Sequence, residues 1–203
     1  MNILCVVERI LFSSLKNLFL NQPDIFNFTS QTGQTEWNLC HHLANEIHKY
    51  IFWLDHDLDV TKRNLDNKRP DIIFHKRGIN ELNFLVVEVK YKDRPIKEDM
   101  IKIKKDWMGN ELHYRFGASI KFYKNERKFD IFLFETLNSE EKHINQKNQH
   151  CLLPIPNNQN PLRKTILNNV EEYASLVKSW EKPHDIEEHK EKIDQLIYHL
   201  YKL

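Results

Sequence analysis

The segment 84–90 places two charged side chains inside an otherwise apolar strand, reading Phe-Leu-Val-Val-Glu-Val-Lys. Because apolar residues fall on both faces of this strand, we expect it to be buried in a sheet. Side chains on a strand repeat with a period of two, so Glu88 and Lys90 point to the same face. A buried carboxylate or ammonium costs several kcal/mol unless it is paired or holds a metal. The sequence therefore predicts a polar site within the sheet.

A second strand comes just before this one, in the segment 69–75, which reads Arg-Pro-Asp-Ile-Ile-Phe-His. Residues 76–81 between the two strands are typical of a hairpin turn, in which Gly78 is available for a positive φ. The hairpin would bring Asp71, at the mouth of its strand, next to Glu88. Carboxylate oxygens are the ligands that Mg²⁺ prefers, and one or two of them suffice because the ion keeps several waters.

A divalent ion can activate water, offset charge on a phosphorane and stabilise a leaving oxygen, which are the three requirements of phosphodiester hydrolysis. In this interpretation Asp71 and Glu88 bind Mg²⁺, for which Mn²⁺ can substitute, and the backbone carbonyl of Val89 adds a ligand. Lys90 would orient or deprotonate the attacking water and offset charge in the transition state. Glu36, on the helix before the sheet, would supply a further carboxylate.

A simpler interpretation of the same residues needs no metal. Glu88 and Lys90 would then form a buried salt bridge, and Asp71 would be a turn residue. We favour the metal site because unpaired charges are seldom buried.

The other patterns along the chain predict a mixed α/β fold. An apolar segment at residues 3–20 reads as a helix, and Glu8, Arg9 and Lys16 interrupt it, which favours a helix of the fold over a signal peptide or a membrane span. Thr35 is expected to cap a helix that ends near Phe52. Further elements are expected as strands at 57–63, 70–75, 82–91, 115–123 and 129–135, and as helices at 96–108, 162–180 and 184–203.

This order of elements divides the chain into three parts. Residues 1–136 would form the main domain, with a core at about 35–135. Residues 137–161 are rich in Asn, Gln and Lys and contain two prolines at 154 and 156 with a third at 161, which is typical of a polar loop or linker. Residues 162–203 would form a C-terminal helical extension that packs on the core or on a partner chain.

The spacing of Pro70-Asp71 and Glu88-Val89-Lys90 resembles the motif of the PD-(D/E)xK nuclease superfamily, which has a restriction-endonuclease-like fold. The predicted order of helix, three antiparallel strands, helix and further strands is similar to the core of that family. The resemblance implies that Asp71 and Glu88 bind the metal and that Lys90 is catalytic. It makes Glu36 the accessory acid, with Glu46 on the same helix as the alternative.

Charge is distributed unevenly along the chain. The formal net charge is +1, but residues 61–128 carry +8, against −4 for residues 1–60 and −3 for residues 129–203. A positive segment around the predicted site is what a polyanionic substrate requires, and a solvated Lys-rich surface is the alternative. The candidate phosphate contacts around the site, which would position a strand without reading its sequence, are Arg69, Lys92, Arg94 and Lys97.

Several classes of protein are disfavoured by composition. The chain has four glycines and no G-x-x-x-x-G-K pattern, so a phosphate-binding loop of that kind is not expected. Its three cysteines are odd in number and form no C-x-x-C, which argues against a zinc site or a disulfide framework and favours the cytoplasm.

The sequence thus predicts a Mg²⁺-dependent nuclease that acts on DNA rather than RNA and does not associate with membranes. A homodimer through the C-terminal helices is possible, because cutting two strands often needs two sites. The alternative function is a nucleic-acid-binding or protein-interaction module of the same fold without catalysis.

Overall fold

The computed structural model describes residues 3–27, 32–61, 66–91, 96–109, 111–123, 127–136, 141–145, 152–179 and 183–201. Its helices are α1 (Ile3–Asn21), α2 (Thr35–His48), α3 (Lys97–Lys102), α4 (Pro161–Ser179) and α5 (Pro183–Leu200). A π-helical turn (Ile103–Met108) continues α3. The strands are β1 (Asp55–Leu58), β2 (Ile72–His75), β3 (Leu85–Tyr91), β4 (Phe116–Phe122), β5 (Phe129–Glu135) and β6 (Glu141–Asn145). The chain is therefore a mixed α/β protein, as predicted.

The six strands form one mixed sheet whose order follows the chain. Neighbouring strands are antiparallel except β3 and β4, which are parallel and are connected by α3 and the π-helical turn. The predicted hairpin of β2 and β3 is confirmed, with Ile72 opposite Val87 and Phe74 opposite Leu85. Gly78 has the positive φ (79°) that the turn was predicted to need.

Two helical layers cover the sheet. Alternation along β3 sends Val87 and Val89 to a large core shared with α1, α2, α4 and α5. Val86 points to the opposite face, where a smaller core forms against the π-helical turn through Ile103 and Trp107. Glu88 and Lys90 have the same parity as Val86, so they lie on the face that α3 and the π-helical turn cover. Within the described residues, no helix combines the length and the apolar character that crossing a membrane requires.

The predicted linker at 137–161 is wrong over residues 141–145, which form β6. This strand pairs only with β5 at the edge of the sheet, and Ile144 is its one buried residue. An edge strand with one face in solvent needs little apolar sequence, so the polar sequence Glu-Lys-His-Ile-Asn gave no sign of a strand.

Two predicted boundaries also differ from the structure. The helix expected to reach Phe52 ends at His48, and Gln34 rather than Thr35 occupies the N-cap position. The first strand covers 55–58 instead of 57–63, although residues 62–65 lie outside the described part of the chain. Both differences are displacements of a few residues at element ends, where hydrogen-bond patterns fray.

The C-terminal helices pack on the core of the same chain. Their apolar side chains join the large core, including Ile166 and Val170 of α4 and Ile197 of α5. The hydroxyl of Tyr201 donates a hydrogen bond to the carbonyl of Tyr50 at 2.8 Å. Of the two packing modes that the sequence left open, the structure shows packing on the core, and α4 and α5 share that core with α1, α2 and the sheet.

Candidate active site

The β2–β3 hairpin brings Asp71 beside Glu88. Ile72 lies opposite Val87, so one step further along the antiparallel ladder Asp71 comes opposite Glu88. The Oδ2 atom of Asp71 accepts a hydrogen bond from the backbone N–H of Val89 at 2.6 Å. Burial raises the pKa of Asp71, and the charge of Glu36 adds to the rise, while the Val89 hydrogen bond, Lys90 and Lys102 oppose it.

Glu88 is the most deeply buried carboxylate of the site, with 1% of its surface exposed. Its Oε1 atom accepts a hydrogen bond from Nε1 of Trp107 at 2.7 Å and lies 2.8 Å from Nζ of Lys102. Burial, followed by the charge of Asp71, raises its pKa from 4.5 to about 7 despite these two partners. Near neutral pH Glu88 is therefore partly protonated when no cation is bound.

Lys90 projects from the same face of β3 as Glu88. Its Nζ atom lies 3.5 Å from Oδ1 of Asp99 on α3. Burial acts to lower the pKa of Lys90, but the charges of Asp99, Glu36, Asp71 and Glu88 outweigh it and the pKa is raised. Lys90 is thus held as an ammonium group among carboxylates. The ion pair of Lys90 is with Asp99, and that of Glu88 is with Lys102, so the simple Glu88–Lys90 salt bridge is not the arrangement found.

Glu36, rather than Glu46, joins the cluster. The first turn of α2 directs its Oε2 atom to the backbone N–H of Tyr91, at 3.1 Å, at the end of β3. Glu46 instead accepts hydrogen bonds from Asn21 at 2.8 Å and Lys49 at 2.6 Å. The structure thus brings Glu36, and not Glu46, next to the strand that carries Glu88 and Lys90.

Four further side chains complete the site and were not predicted: Asp99, Lys102, Trp107 and Ser119. Lys102 contacts Glu88, donates to the carbonyl of Arg69 at 3.0 Å and lies 5.2 Å from the centre of the Trp107 ring. Ser119 lies directly across from Glu88 on β4. The only sequence signal was that Asp99, Lys102 and Trp107 lie near Met100 and Ile103 on the predicted apolar helix.

Two buried oxygens of the site lack a hydrogen-bond partner among the described residues: Oδ2 of Asp99 and Oγ of Ser119. Asp99 and Ser119 are both buried. Asp99 lies next to Lys90, and Ser119 lies opposite Glu88 on the neighbouring strand. A buried polar atom without a partner is costly, so these two oxygens are available to a ligand or to an ordered water.

The structure describes two of the four predicted phosphate contacts, Arg69 and Lys97. Arg69 lies at the rim, with its Nη1 atom 3.4 Å from Oδ2 of Asp59. Lys97 is exposed at the start of α3. Lys92 and Arg94 lie outside the described residues. The N–H of Val89 is used by Asp71, and a role of its carbonyl as a metal ligand stays a prediction.

The side chains of the site include the oxygen donors that hard divalent cations prefer. Among the described residues, no three His, Cys, Asp or Glu side chains form a group that could hold a metal. A structural zinc site needs four such ligands. Mg²⁺ needs one or two carboxylates, with waters filling the other positions. The adjacent carboxylates of Asp71 and Glu88, with the unpartnered oxygens of Asp99 and Ser119 nearby, match that second pattern.

No family model matches this chain, and comparison with curated proteins and with solved structures gives no match either. Fold alone does not define function, since one fold supports many activities. The chemistry of the protein must therefore be inferred from the geometry and charges of this site.

Proposed function

We propose that the protein is a Mg²⁺-dependent nuclease of restriction-endonuclease-like fold that hydrolyses phosphodiester bonds in DNA. The observation that carries this proposal is the pair of neighbouring carboxylates, half-buried Asp71 and buried Glu88, with the charged Lys90 beside it. The charge of Asp71 adds to the rise in the pKa of Glu88, so binding a cation between the two carboxylates would relieve their repulsion. Functional sites are where such shifts concentrate.

The order of elements supports the fold part of the proposal. Helix α2, strands β1 to β3, helix α3 and strands β4 and β5 follow each other as in the core that the PD-(D/E)xK resemblance implies. Asp71 precedes β2 and Glu88 and Lys90 lie within β3, in the places that the motif requires.

Each residue has a chemical task in this proposal. Asp71 and Glu88 hold the cation, which when bound supplies positive charge and a more acidic water. The oxygen of a water molecule attacks the phosphorus, and the water loses a proton to solvent. The bond to the leaving oxygen breaks, and that oxygen takes up a proton from solvent. Because Lys90 is held as an ammonium, it donates hydrogen bonds to the water and the phosphoryl oxygens rather than accepting a proton. Glu36 fixes the end of β3 through the N–H of Tyr91.

A cleavage assay tests the proposal. The full chain is incubated with single-stranded and duplex DNA and RNA, with Mg²⁺ or Mn²⁺. We expect Asp71→Asn, Glu88→Gln and Lys90→Met each to slow cleavage roughly a hundredfold or more. The first two substitutions remove negative charge that would hold the cation, and the third removes a positive charge beside the reacting phosphate.

Matched controls separate chemistry from folding. Glu46→Gln removes a buried carboxylate from α2, and Lys142→Met removes a half-buried lysine that pairs with Glu8 at 2.9 Å. Both should cut like the parent. If the three site variants also cut like the parent, the nuclease proposal is wrong.

One observation favours the second candidate, a nucleic-acid-binding module without catalysis. Glu88 already has Lys102 and Trp107 as partners, and Lys90 has Asp99, so the chain partly neutralises its own site. This candidate predicts binding that needs no divalent ion and no turnover with either metal. It also predicts no rise in thermal stability with Mg²⁺, because a ligand stabilises only the state that binds it.

A further inference from the structure

Trp37 on α2 is exposed next to the candidate site. It follows Glu36 directly, and 58% of its surface is in contact with solvent. Of the large apolar side chains that are exposed among the described residues, it is the one aromatic. By contrast, Trp53 and Trp107 are buried in the two cores. An exposed aromatic ring beside a candidate site offers a face on which the ring of a ligand can stack.

His41 turns this side chain into a flat platform. One helical turn after Trp37, its ring stacks on the indole with centroids 5.7 Å apart and an angle of 8° between the planes. The hydrogen-bond contact of 3.4 Å between Nε2 of His41 and Nδ2 of Asn45 orients the imidazole. The indole thus has one face covered by His41, and much of its remaining surface is open.

The platform lies at the rim of the carboxylate cluster. Cys40 is three residues after Trp37, so the two side chains are neighbours on the helix surface, about 5–6 Å apart at Cβ. Burial, and then the charges of Asp71, Glu36 and Glu88, raise the pKa of the Cys40 thiol. That flank of α2 therefore faces the carboxylates, and Glu36 anchors it to the end of β3.

We propose that Trp37 and His41 form a stacking platform for an unpaired nucleobase next to the scissile phosphate. The inference rests on the proposed function, which places a phosphodiester at the adjacent carboxylates. A base inside a duplex has both faces covered by its neighbours, so only an unpaired base offers a face to an indole. The substrate is therefore single-stranded nucleic acid, or a duplex with a single-stranded segment at the cut.

Binding measurements with the full chain test the platform. Fluorescence anisotropy with chelator present follows binding without cleavage, using a short labelled single strand, the same strand in a duplex, and the single strand with abasic positions. Trp37→Ala should weaken binding of the single strand roughly tenfold and leave the duplex unchanged, because stacking on one aromatic side chain is lost. The abasic strand should bind the parent and Trp37→Ala equally.

Two further variants keep the test independent of folding. Trp37→Phe retains a ring, so it should keep most of the affinity. In the parent, stacking of a base on Trp37 should quench intrinsic fluorescence, and Trp37→Phe should lose this quenching. Leu20→Ala, at an even more exposed apolar position near the end of α1, should bind like the parent.

Three results would overturn the platform. The first is Trp37→Ala binding the single strand as tightly as the parent. The second is an equal loss for single strand and duplex. The third is unchanged binding with an altered sedimentation coefficient, which would make Trp37 a contact between copies of the chain.

The nuclease proposal and the platform proposal can be contradicted independently of each other. A parent that cuts DNA while Trp37→Ala binds normally contradicts the platform alone. A parent that binds single strands through Trp37 and cuts nothing with either metal supports the platform and contradicts the nuclease.

Discussion

At the scale of single residues, Glu88 makes stability depend on pH. Its pKa is about 7 in the folded protein, against 4.5 for an ordinary glutamate. Between these values the folded state keeps a proton that the unfolded state releases, so the stability of the metal-free protein falls as pH rises. Glu88→Gln stays neutral. Its free energy of unfolding relative to the parent should therefore rise by up to about 3 kcal/mol across this window.

Urea unfolding at a series of pH values, with chelator present, measures this difference. Saturating Mg²⁺ should reduce the pH dependence of the parent, because the cation stabilises the ionised carboxylate. A difference between the two proteins that is constant from pH 4.5 to 7 would show that Glu88 is not the titrating group.

Local pattern was enough to predict part of the site. Strand parity placed Glu88 and Lys90 on one face, and the hairpin placed Asp71 beside them, since both depend on neighbours in sequence. Asp99 and Lys102 were not predicted, because their position in the site depends on how α3 is oriented across the sheet. That orientation is set by packing of the smaller core, which no local period reveals.

At the scale of elements, Gly117 lets the π-helical turn approach the sheet. A Cβ atom at this position of β4 would overlap Cγ2 of Ile103 and lie 2.7 Å from Sδ of Met108. Gly117→Ala should therefore lower the free energy of unfolding by about 1–3 kcal/mol, which is the usual cost of overpacking a core. Chemical denaturation of the two proteins measures it.

A second substitution identifies the cause. Ile103→Ala in the Gly117→Ala background makes room for the new methyl group, so the two changes together should cost less than the sum of their separate costs. Strict additivity, or a Gly117→Ala protein as stable as the parent, would mean that the π-helical turn does not need the glycine.

Elements with strong periodicity were predicted well, and weakly patterned ones were not. Helix α1 and strands β3 to β5 lie within a few residues of their predicted ranges, because burial demands apolar side chains at regular positions. Strand β6 has one buried side chain, so its pairing with β5 depends on backbone hydrogen bonds that leave no trace in composition.

At the scale of the whole molecule, the C-terminal helices are part of one folded unit. The amphipathic pattern of residues 162–203 predicted two helices but not what would cover their apolar sides. Besides apolar packing, an ion pair ties α5 to the start of β4: Nη1 of Arg115 lies 2.7 Å from Oδ2 of Asp194. Both side chains are largely buried, and burial raises the pKa of Asp194 while Arg115 opposes the rise.

Removing one member of this pair should destabilise the entire chain. Asp194→Ala leaves the guanidinium of Arg115 largely buried without its partner, which costs about 3 kcal/mol at such sites. Because the helices and the sheet share one core, far-UV circular dichroism and tryptophan fluorescence should report the same lowered unfolding midpoint. Arg115→Met combined with Asp194→Leu removes both charges and should recover most of the loss. Two separate transitions in Asp194→Ala would instead show that α4 and α5 unfold independently of the sheet, as expected of a separate C-terminal extension.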